Sequence, residues 1–396
     1  MVKYRLQVII FVLVAFMLGC NEFMVVGILS DIADHLNVSI AATGYLVTIF
    51  ATTYALGTPF VTILTIRYSR YKTLLALIIV FFIGNTLSAL AVNYWVMMLS
   101  RIITASVAGS IESLIMIFAS QVAPREKRAG LVSWIYAGFS IASVLGVPIG
   151  TTISTNYSWR DAFLAISVVT VIVFGLLTLI LPKHIEQVQS SIRDQLVILK
   201  DRRIYVAVIL VLFTAATFYA YYTYIRPILT SALGFNVHQL NWLLFVIGLV
   251  SIMSNWLSGT LANHDGLKKM PPFYMVDIAL LVLLPFGLMN QVIGYGMLLI
   301  LSLIVTVLGS PIQIHFMNIA EQDYPQAMVF ASSLNAIFFN FGISLGSATA
   351  SMLIDPLGVA RISWGAAVYA ALSLGLMLVL NRVMKRHQAG KVKVNG

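Results

Sequence analysis

The feature that most constrains this chain is a series of twelve apolar runs, each long enough to cross a lipid bilayer. Only 10% of the residues are charged, whereas a soluble domain has about 25%. Because backbone groups inside lipid have no water to bind, each run must form a helix. The sequence therefore predicts an all-α membrane protein with twelve transmembrane helices, at 6–30, 43–66, 73–92, 95–121, 129–154, 160–182, 204–230, 238–262, 271–289, 291–317, 326–353 and 359–381.

The basic residues indicate how these helices are oriented. If the N-terminus is cytoplasmic, all but four of the 24 Lys and Arg residues fall on the cytoplasmic side. The exceptions, in or near the outer halves of spans, are Arg101, Arg160, Arg226 and Arg361. Since Lys and Arg concentrate in cytoplasmic loops, we expect a multi-pass protein of the cytoplasmic membrane with both termini inside. The net charge of +10 then reflects topology, and no nucleic-acid partner is predicted.

The two halves of the chain repeat. Each contains six apolar runs, and the loop at 62–72 is matched by the loop at 259–269, 197 residues later. Such a pattern is typical of two pseudo-symmetric six-helix bundles related by an axis normal to the membrane. We predict bundles at 1–182 and 204–396, the second ending in a short basic tail. The linker at 183–203 has apolar residues at helical spacing, which suggests a surface amphipathic helix or a simple connector.

Three ionisable residues lie deep within the first half. Glu22 is in the apolar run Leu6–Leu29, and span four carries Arg101 and Glu112. Charges inside a bilayer are costly, so their presence favours a function. Glu22 and Arg101 lie at similar depth, and the spacing of Arg101 and Glu112 puts both on one face of their helix. We therefore predict a proton-coupling site, with a static buried pair that locks span one to span four as the alternative.

Further polar and aromatic residues are candidates for a substrate cavity. Some have structural alternatives: tyrosines form interfacial belts, Arg226 can snorkel toward water, and asparagines hydrogen-bond between helices. The candidates are Asn21, Tyr219, Tyr222, Arg226, Asn335 and Asn340. Asp277 is expected near the membrane interface, where water reaches it, and is a weaker candidate.

Signatures of enzyme chemistry are absent from the sequence. It has no phosphate-binding loop, no histidine or cysteine cluster at metal-ligand spacing and no nucleophile elbow. We therefore predict that the protein is not an enzyme and needs no metal and no cofactor. The expected partners are protons, a small-molecule substrate and the lipid bilayer, and an ion gradient would supply the energy.

Several motifs resemble those of the major facilitator superfamily over nearly the whole chain. They are more similar to its twelve-span drug/proton antiporter branch, which includes arabinose- or sugar-efflux-like and purine-efflux-like permeases. The residues that carry the resemblance are Asn21-Glu22-Phe23, Gly27–Ala33, Arg67–Arg70, Lys72, Arg101, Gly109, Gly146–Gly150, Trp159-Arg160, Phe163, Phe339-Asn340 and Gly342.

This resemblance implies alternating access, with spans one, four, seven and ten around a central cavity. It implies a role in proton coupling for Arg101 and an association with export for the span-five motif, here Gly138, Gly146, Pro148 and Gly150. The loop residues Arg67, Arg70 and Lys72 match a conformational motif. That motif departs from its usual pattern at Thr62, Ile66 and Ser69, and the resemblance says nothing of Glu112.

Together these observations predict a secondary active transporter. We expect proton-coupled efflux of small organic molecules such as drugs, sugars or nucleobases, by a monomer working through alternating access. A proton-coupled nutrient importer is the first alternative, and a non-transporting membrane sensor is an alternative from another class. The sequence does not name the substrate.

Overall fold

The computed structural model describes residues 2–65, 68–122, 128–183, 197–262, 266–305 and 307–395. Every regular element within these residues is helical. Among the described residues, twelve segments are long and apolar enough to cross a membrane. The predicted all-α protein with twelve spans is therefore confirmed.

The structure describes thirteen main helices in chain order. They are α1 (Val2–Leu36), α2 (Ile40–Thr65), α3 (Arg70–Ala89), α4 (Tyr94–Val122), α5 (Arg128–Asn156), α6 (Trp159–Ile180), α7 (Arg202–Tyr222), α8 (Val237–Ala262), α9 (Pro271–Gly287), α10 (Gln291–Val305), α11 (Gly309–Asp323), α12 (Met328–Leu357) and α13 (Ser363–Asn395). Helices α10 and α11 together make the tenth span. A one-turn helix, Ile225–Pro227, and a π-helical turn, Ile228–Ala232, follow α7.

Two differences from the predicted spans have simple physical reasons. Helices such as α1 and α13 extend beyond their apolar runs, because the hydrogen bonds of a helix continue where its side chains meet water. The tenth span consists of two helices, because the second one, α11, begins at Gly309. Pro311 lies in the first turn of α11, where a proline is tolerated although it has no backbone N–H. The predicted amphipathic helix falls largely on residues 184–196, outside the described residues.

The contacts divide the chain into two compact units. Unit 1 comprises Met1–Gln187, Tyr224–Thr230 and Asn236–Gly248. Unit 2 comprises Val188–Thr223, Ser231–Phe235 and Leu249–Gly396. Unit 1 thus contains α1 to α6 together with residues that follow α7. The sequence placed those later residues in the second bundle, and the boundaries at 182 and 203 stay a prediction.

Within unit 1, α1 packs most closely against α5. Glycines allow this approach: a Cβ atom added at Gly138 would lie 2.7 Å from the backbone oxygen of Val12. One added at Gly27 would lie 2.9 Å from the backbone oxygen of Val147. Because small residues let two helix backbones meet, these positions set the separation of α1 and α5.

Unit 2 has the same kind of glycine contact between the first and fifth spans of the second half of the chain. Helix α7 packs against α12, where Gly346 faces α7. A Cβ atom added there would lie 2.9 Å from the Cα of Ala216 and 2.9 Å from the backbone nitrogen of Ala220. The corresponding helices of the two units are therefore joined by the same kind of contact, as expected for an internal repeat.

The glycine contact gives a stability prediction with a matched control. Gly138→Ala should lower the free energy of unfolding by about 1–3 kcal/mol, because the new methyl group meets backbone atoms of α1. Gly175→Ala on α6 should instead be neutral or stabilising by about 0.5–1 kcal/mol, since no atom lies within 4 Å of its Cβ position. Thermal unfolding of the purified protein in detergent measures both. Equal stability of the two variants would contradict this packing.

Candidate functional site

Arg101 on α4 is the centre of the predicted proton site. Its side chain is fully buried, at 0% exposure. Its Nη1 donates a hydrogen bond to the backbone oxygen of Asn21 at 3.0 Å and lies 3.4 Å from the side-chain oxygen of Asn21. Its Cζ lies 3.9 Å from the centre of the Phe50 ring, where a cation is attracted to the π electrons. One backbone carbonyl, one amide and one ring therefore hold a buried cation.

Two nitrogens of the same guanidinium have no hydrogen-bond partner in the described part of the chain. These are Nε and Nη2 of Arg101. Buried donors are rarely left unpaired, because each loses its hydration without compensation. Nε and Nη2 of Arg101 are therefore available to donate hydrogen bonds to a group other than Asn21 and Phe50.

Asn21 connects Arg101 to a third helix. Its side-chain nitrogen donates to the side-chain oxygen of Asn85 on α3. The nitrogen of Asn85 in turn donates to the backbone oxygen of Phe81 at 2.9 Å. Both asparagines are fully buried. The predicted cavity residue Asn21 is therefore part of a polar chain that joins α1, α3 and α4.

Two carboxyl groups accompany Arg101 in unit 1. Glu22 on α1 and Glu112 on α4 are both partly buried. Glu22 lies within electrostatic range of Arg101 and of Glu112. Among the described residues, however, neither carboxylate forms an ion pair with Arg101 within 4.0 Å. The structure thus brings the three predicted residues into one cluster without a closed salt bridge.

Tyrosines complete the environment of Glu112. Tyr54 on α2 donates its hydroxyl hydrogen to the Glu112 carboxylate, and Tyr136 on α5 interacts with it electrostatically. Tyr54 is buried, whereas Tyr136 is 49% exposed. The cluster therefore draws residues from α1, α2, α4 and α5 of a single unit.

Arg226 forms a separate, well-defined ion pair. Its Nη1 donates to Asp31 Oδ2 at 2.6 Å and its Nη2 donates to Asp31 Oδ1 at 2.8 Å. Nη1 also donates to the backbone oxygen of Gly27 at 2.8 Å, and Ser154 donates to Asp31. All four residues belong to unit 1. Arg226 is therefore fixed by a bidentate pair and does not snorkel, which was one of the two readings of its sequence position.

The aromatic candidates lie in unit 2. Tyr222 stacks on Phe218 with ring centres 4.3 Å apart and an interplanar angle of 22°. Tyr219 packs edge-on against Tyr222 at 6.0 Å and against Phe339 of α12 at 6.2 Å. Tyr219 and Tyr222 are 4% and 9% exposed. They form an aromatic cluster in which both predicted tyrosines take part.

The remaining polar candidates of unit 2 are less engaged. Asn340 donates to the backbone oxygen of Ala336 at 3.1 Å, and its side-chain oxygen has no partner among the described residues. Asn335 is partly buried. Asp277 is only 8% exposed, so the expectation that water reaches it is wrong: it lies within electrostatic range of the buried tyrosines Tyr221 and Tyr274.

Comparison with protein families decides the kind of protein. A model of the Major Facilitator Superfamily matches residues 11–347. The chain belongs to the Major Facilitator Superfamily. It is therefore a multi-pass membrane transporter for small molecules and not an enzyme. No set of three or more side chains suited to a metal ion occurs in the described ranges.

Several superfamily relatives match along most of their length. An uncharacterized MFS-type transporter of Bacillus subtilis, YtbD, is 29% identical over 88% of this chain and 89% of its own. The inner membrane transport protein YdhP of Escherichia coli K12 is 29% identical over 93% and 94%. A probable sugar efflux transporter of Helicobacter pylori 26695 is 28% identical over 93% of each chain.

Solved structures of the superfamily show the same fold. The crystal structure of a bacterial homolog to the human lysosomal transporter Spinster, inward-facing and occupied, superimposes with a TM-score of 0.75. It covers 95% of this chain and 96% of that one at 14% identity. This likeness supports the major facilitator fold of the present chain.

The predicted conformational motifs of this superfamily member are only partly described. Arg67 lies outside the described residues, Arg70 begins α3 and is partly buried, and Lys72 is exposed. In α5, Gly138 and Gly150 contact α1, and Gly146 has Cys20 and Phe23 of α1 at 3.6 Å from its Cβ position. Pro148 lies inside the same helix.

Four residues of the cluster were missed by the sequence reasoning. Asn85 offered a signal, since it is an amide inside the apolar run 73–92. Tyr54 and Phe50 lie on a helix whose inward face was not predicted, and Tyr136 precedes the glycine motif of α5. Asp31 was included in a motif, but its pairing with Arg226 was not foreseen.

Proposed function

We propose that this transporter is a proton-coupled antiporter that exports small organic molecules, as in the drug/proton antiporter branch of its superfamily. The observation that carries the proposal is the cluster of Arg101, Glu22 and Glu112. It combines a fully buried cation with unpaired donors and two partly buried carboxyl groups within electrostatic range. An intramembrane cluster of this kind is more costly than an apolar core and is expected to have a function.

The charges of this cluster suggest how a proton could control the transport cycle. One arginine and two ionised glutamates carry a net charge of −1, and uptake of one proton makes the cluster neutral. A neutral cluster is easier to enclose in an apolar interior than a charged one. Protonation of Glu22 or Glu112 would therefore favour the step in which the site is closed to water.

The free donors of Arg101 suggest how that proton would be sensed. Since Nε and Nη2 have no other partner in the described residues, they can bond an ionised carboxylate that swings toward them. A protonated carboxyl is a weaker acceptor and would leave them. The contact between Arg101 and Glu22 would thus form and break once in each cycle.

The export direction and the substrate class are supported by resemblance. A relative in Helicobacter pylori is named as a probable sugar efflux transporter, and α5 carries the glycine and proline motif associated with export. We propose a sugar, a nucleobase or an amphipathic drug as substrate, with stacking on Tyr219 and Tyr222 and polar contacts from Asn335 and Asn340 of unit 2. We further propose a monomer in the cytoplasmic membrane with both termini in the cytoplasm.

Transport in membrane vesicles of known orientation tests this function. A thermal-shift screen of arabinose, adenine and ethidium first identifies a stabilising solute. Inverted membrane vesicles with an acidic lumen should then accumulate that solute, and nigericin, which collapses the pH gradient, should abolish the accumulation. Uptake that is unchanged by nigericin would refute proton coupling. Proton-driven accumulation only in right-side-out vesicles would instead identify an importer.

A further inference from the structure

Unit 2 contains a basic pocket that the transport site does not use. It has a volume of about 310 Å³ and lies where the start of α7 meets the end of α13. In the topology proposed above, this is the cytoplasmic side. The lining residues are Asp201, Arg202, Arg203, Val383, Arg386 and His387. Three arginines around one carboxylate make the pocket positive.

The one carboxylate of the pocket is already occupied. Arg203 donates through Nε to Asp201 Oδ1 at 3.0 Å and through Nη2 to Asp201 Oδ2 at 2.5 Å. Burial raises the pKa of Asp201, but the hydrogen bonds from Arg203 lower it more, so the pKa lies below its ordinary value. Arg203 also reaches Asp323 of α11 at 2.5 Å. Arg203 therefore binds both nearby carboxylates, and the three arginines still exceed these two aspartates by one positive charge.

His387 is oriented as a donor by the same arginine. Nη1 of Arg203 lies 3.0 Å from Nε2 of His387. Because a guanidinium only donates, Nε2 must accept, and the ring proton of a neutral His387 is then on Nδ1. His387 lines the pocket and can therefore offer an N–H donor through Nδ1.

The other two arginines of the pocket have no carboxylate partner among the residues that the structure describes. Arg202 and Arg386 are both exposed, and neither forms an ion pair with a described residue. Two guanidinium groups with free forks at one pocket match the oxygens of a phosphate group, which arginine binds in bidentate fashion.

Apolar side chains extend from each free arginine into the membrane-spanning part of its helix. On α7, Tyr205 and Ile209 follow Arg202 at helical spacing and are 42% and 36% exposed. On α13, Val379 lies two turns before Arg386 and is 38% exposed. A ligand with a phosphate at the pocket and hydrocarbon chains along these faces would satisfy both parts of the surface.

We infer that this pocket binds the phosphate group of an anionic phospholipid of the cytoplasmic leaflet. Basic pockets at the membrane surface between transmembrane helices are suited to such headgroups. Arg202 and Arg386 would hold the phosphate oxygens, with His387 as a further donor. Arg203 binds the Asp201 carboxylate and so keeps the pocket available to an anion. The bound lipid would join α7 to α13, the first and last spans of the second half.

Native mass spectrometry of the full-length chain tests this binding. Wild-type protein should retain added phosphatidylglycerol more strongly than phosphatidylcholine, whose headgroup has no net charge. The double variant Arg202→Gln/Arg386→Gln should bind phosphatidylglycerol about thirtyfold more weakly, because two interfacial charges are lost. The variant Arg202→Lys/Arg386→Lys should recover part of the binding, since it keeps the charges but not the forks.

A matched control removes two cations elsewhere. Lys200→Gln/Lys269→Gln loses the same charge from exposed positions outside the pocket and should bind the lipid like the wild type. Equal weakening in both double variants would overturn the site. Displacement of the lipid by millimolar inorganic phosphate would overturn the lipid as the source of the phosphate. Because binding is measured without transport, either failure leaves the proposed antiport standing.

Discussion

Glu22→Gln is expected to abolish transport driven by a pH gradient while solute binding remains. Glutamine keeps the size and polarity of the side chain, but it neither gains nor loses a proton. The cluster with Arg101 and Glu112 would then have lost its exchangeable charge at α1. In proteoliposomes, gradient-driven accumulation should fall to the level of protein-free vesicles. Exchange of labelled for unlabelled solute without a gradient should continue.

A carboxylate outside the cluster provides the control for this experiment. Asp161 is exposed in the first turn of α6, so Asp161→Asn should transport like the wild type. A Glu22→Gln variant that still accumulates solute against a gradient would remove Glu22 from proton coupling. A variant that has also lost solute exchange would indicate that Glu22 is a structural or substrate-binding residue. A structural role is what the alternative of a static buried pair between span one and span four requires.

Arg226→Met is expected to destabilise unit 1 substantially. Removing one partner of a fully buried ion pair costs about 3–5 kcal/mol, because the other charge is left without compensation. The Asp31 side chain is 25% exposed and the Arg226 side chain 9%, so water would offset part of this loss. We expect a decrease of about 2–3 kcal/mol in the free energy of unfolding, measured by thermal unfolding in detergent.

A double-mutant cycle separates the ion pair from the packing of the two side chains. The charge swap Asp31→Arg/Arg226→Asp should lose less stability than the single variants Asp31→Arg and Arg226→Asp together, and the difference is the coupling free energy. Arg361→Met provides a control, because Arg361 is an exposed arginine whose Cζ lies 5.9 Å from the centre of the Trp364 ring. Its substitution should change stability by about 0.5 kcal/mol or less. Equal losses for Arg226→Met and Arg361→Met would contradict the importance of the pair.

The sequence could predict the fold because bilayer physics leaves few choices. Long apolar runs must be helices, and the position of each residue within its own run predicts that Arg101 and Glu22 lie at similar depth. Helical geometry also predicts which residues share one helix face. These rules act within one helix or along one axis, so they are readable from local sequence.

Contacts that depend on which helices are neighbours could not be read in this way. The partner of Arg226 is 195 residues away in the chain, and no periodicity connects the two. Likewise, Tyr54 reaches Glu112 only because α2 packs against α4. Asp277 was assigned to the water interface from its position along α9, whereas its exposure is determined by the helices around it. Local pattern cannot supply such tertiary information.

The anchoring of Arg101 to a backbone oxygen has a consequence for how the protein tolerates sequence change. Every residue type at position 21 provides that oxygen, so the 3.0 Å contact does not depend on the asparagine side chain. A substitution at position 21 would remove or change the side-chain hydrogen bond to Asn85 but keep the hydrogen bond from Arg101 to the backbone of α1. Homologues with unrelated side chains at this position can therefore keep the same guanidinium placement.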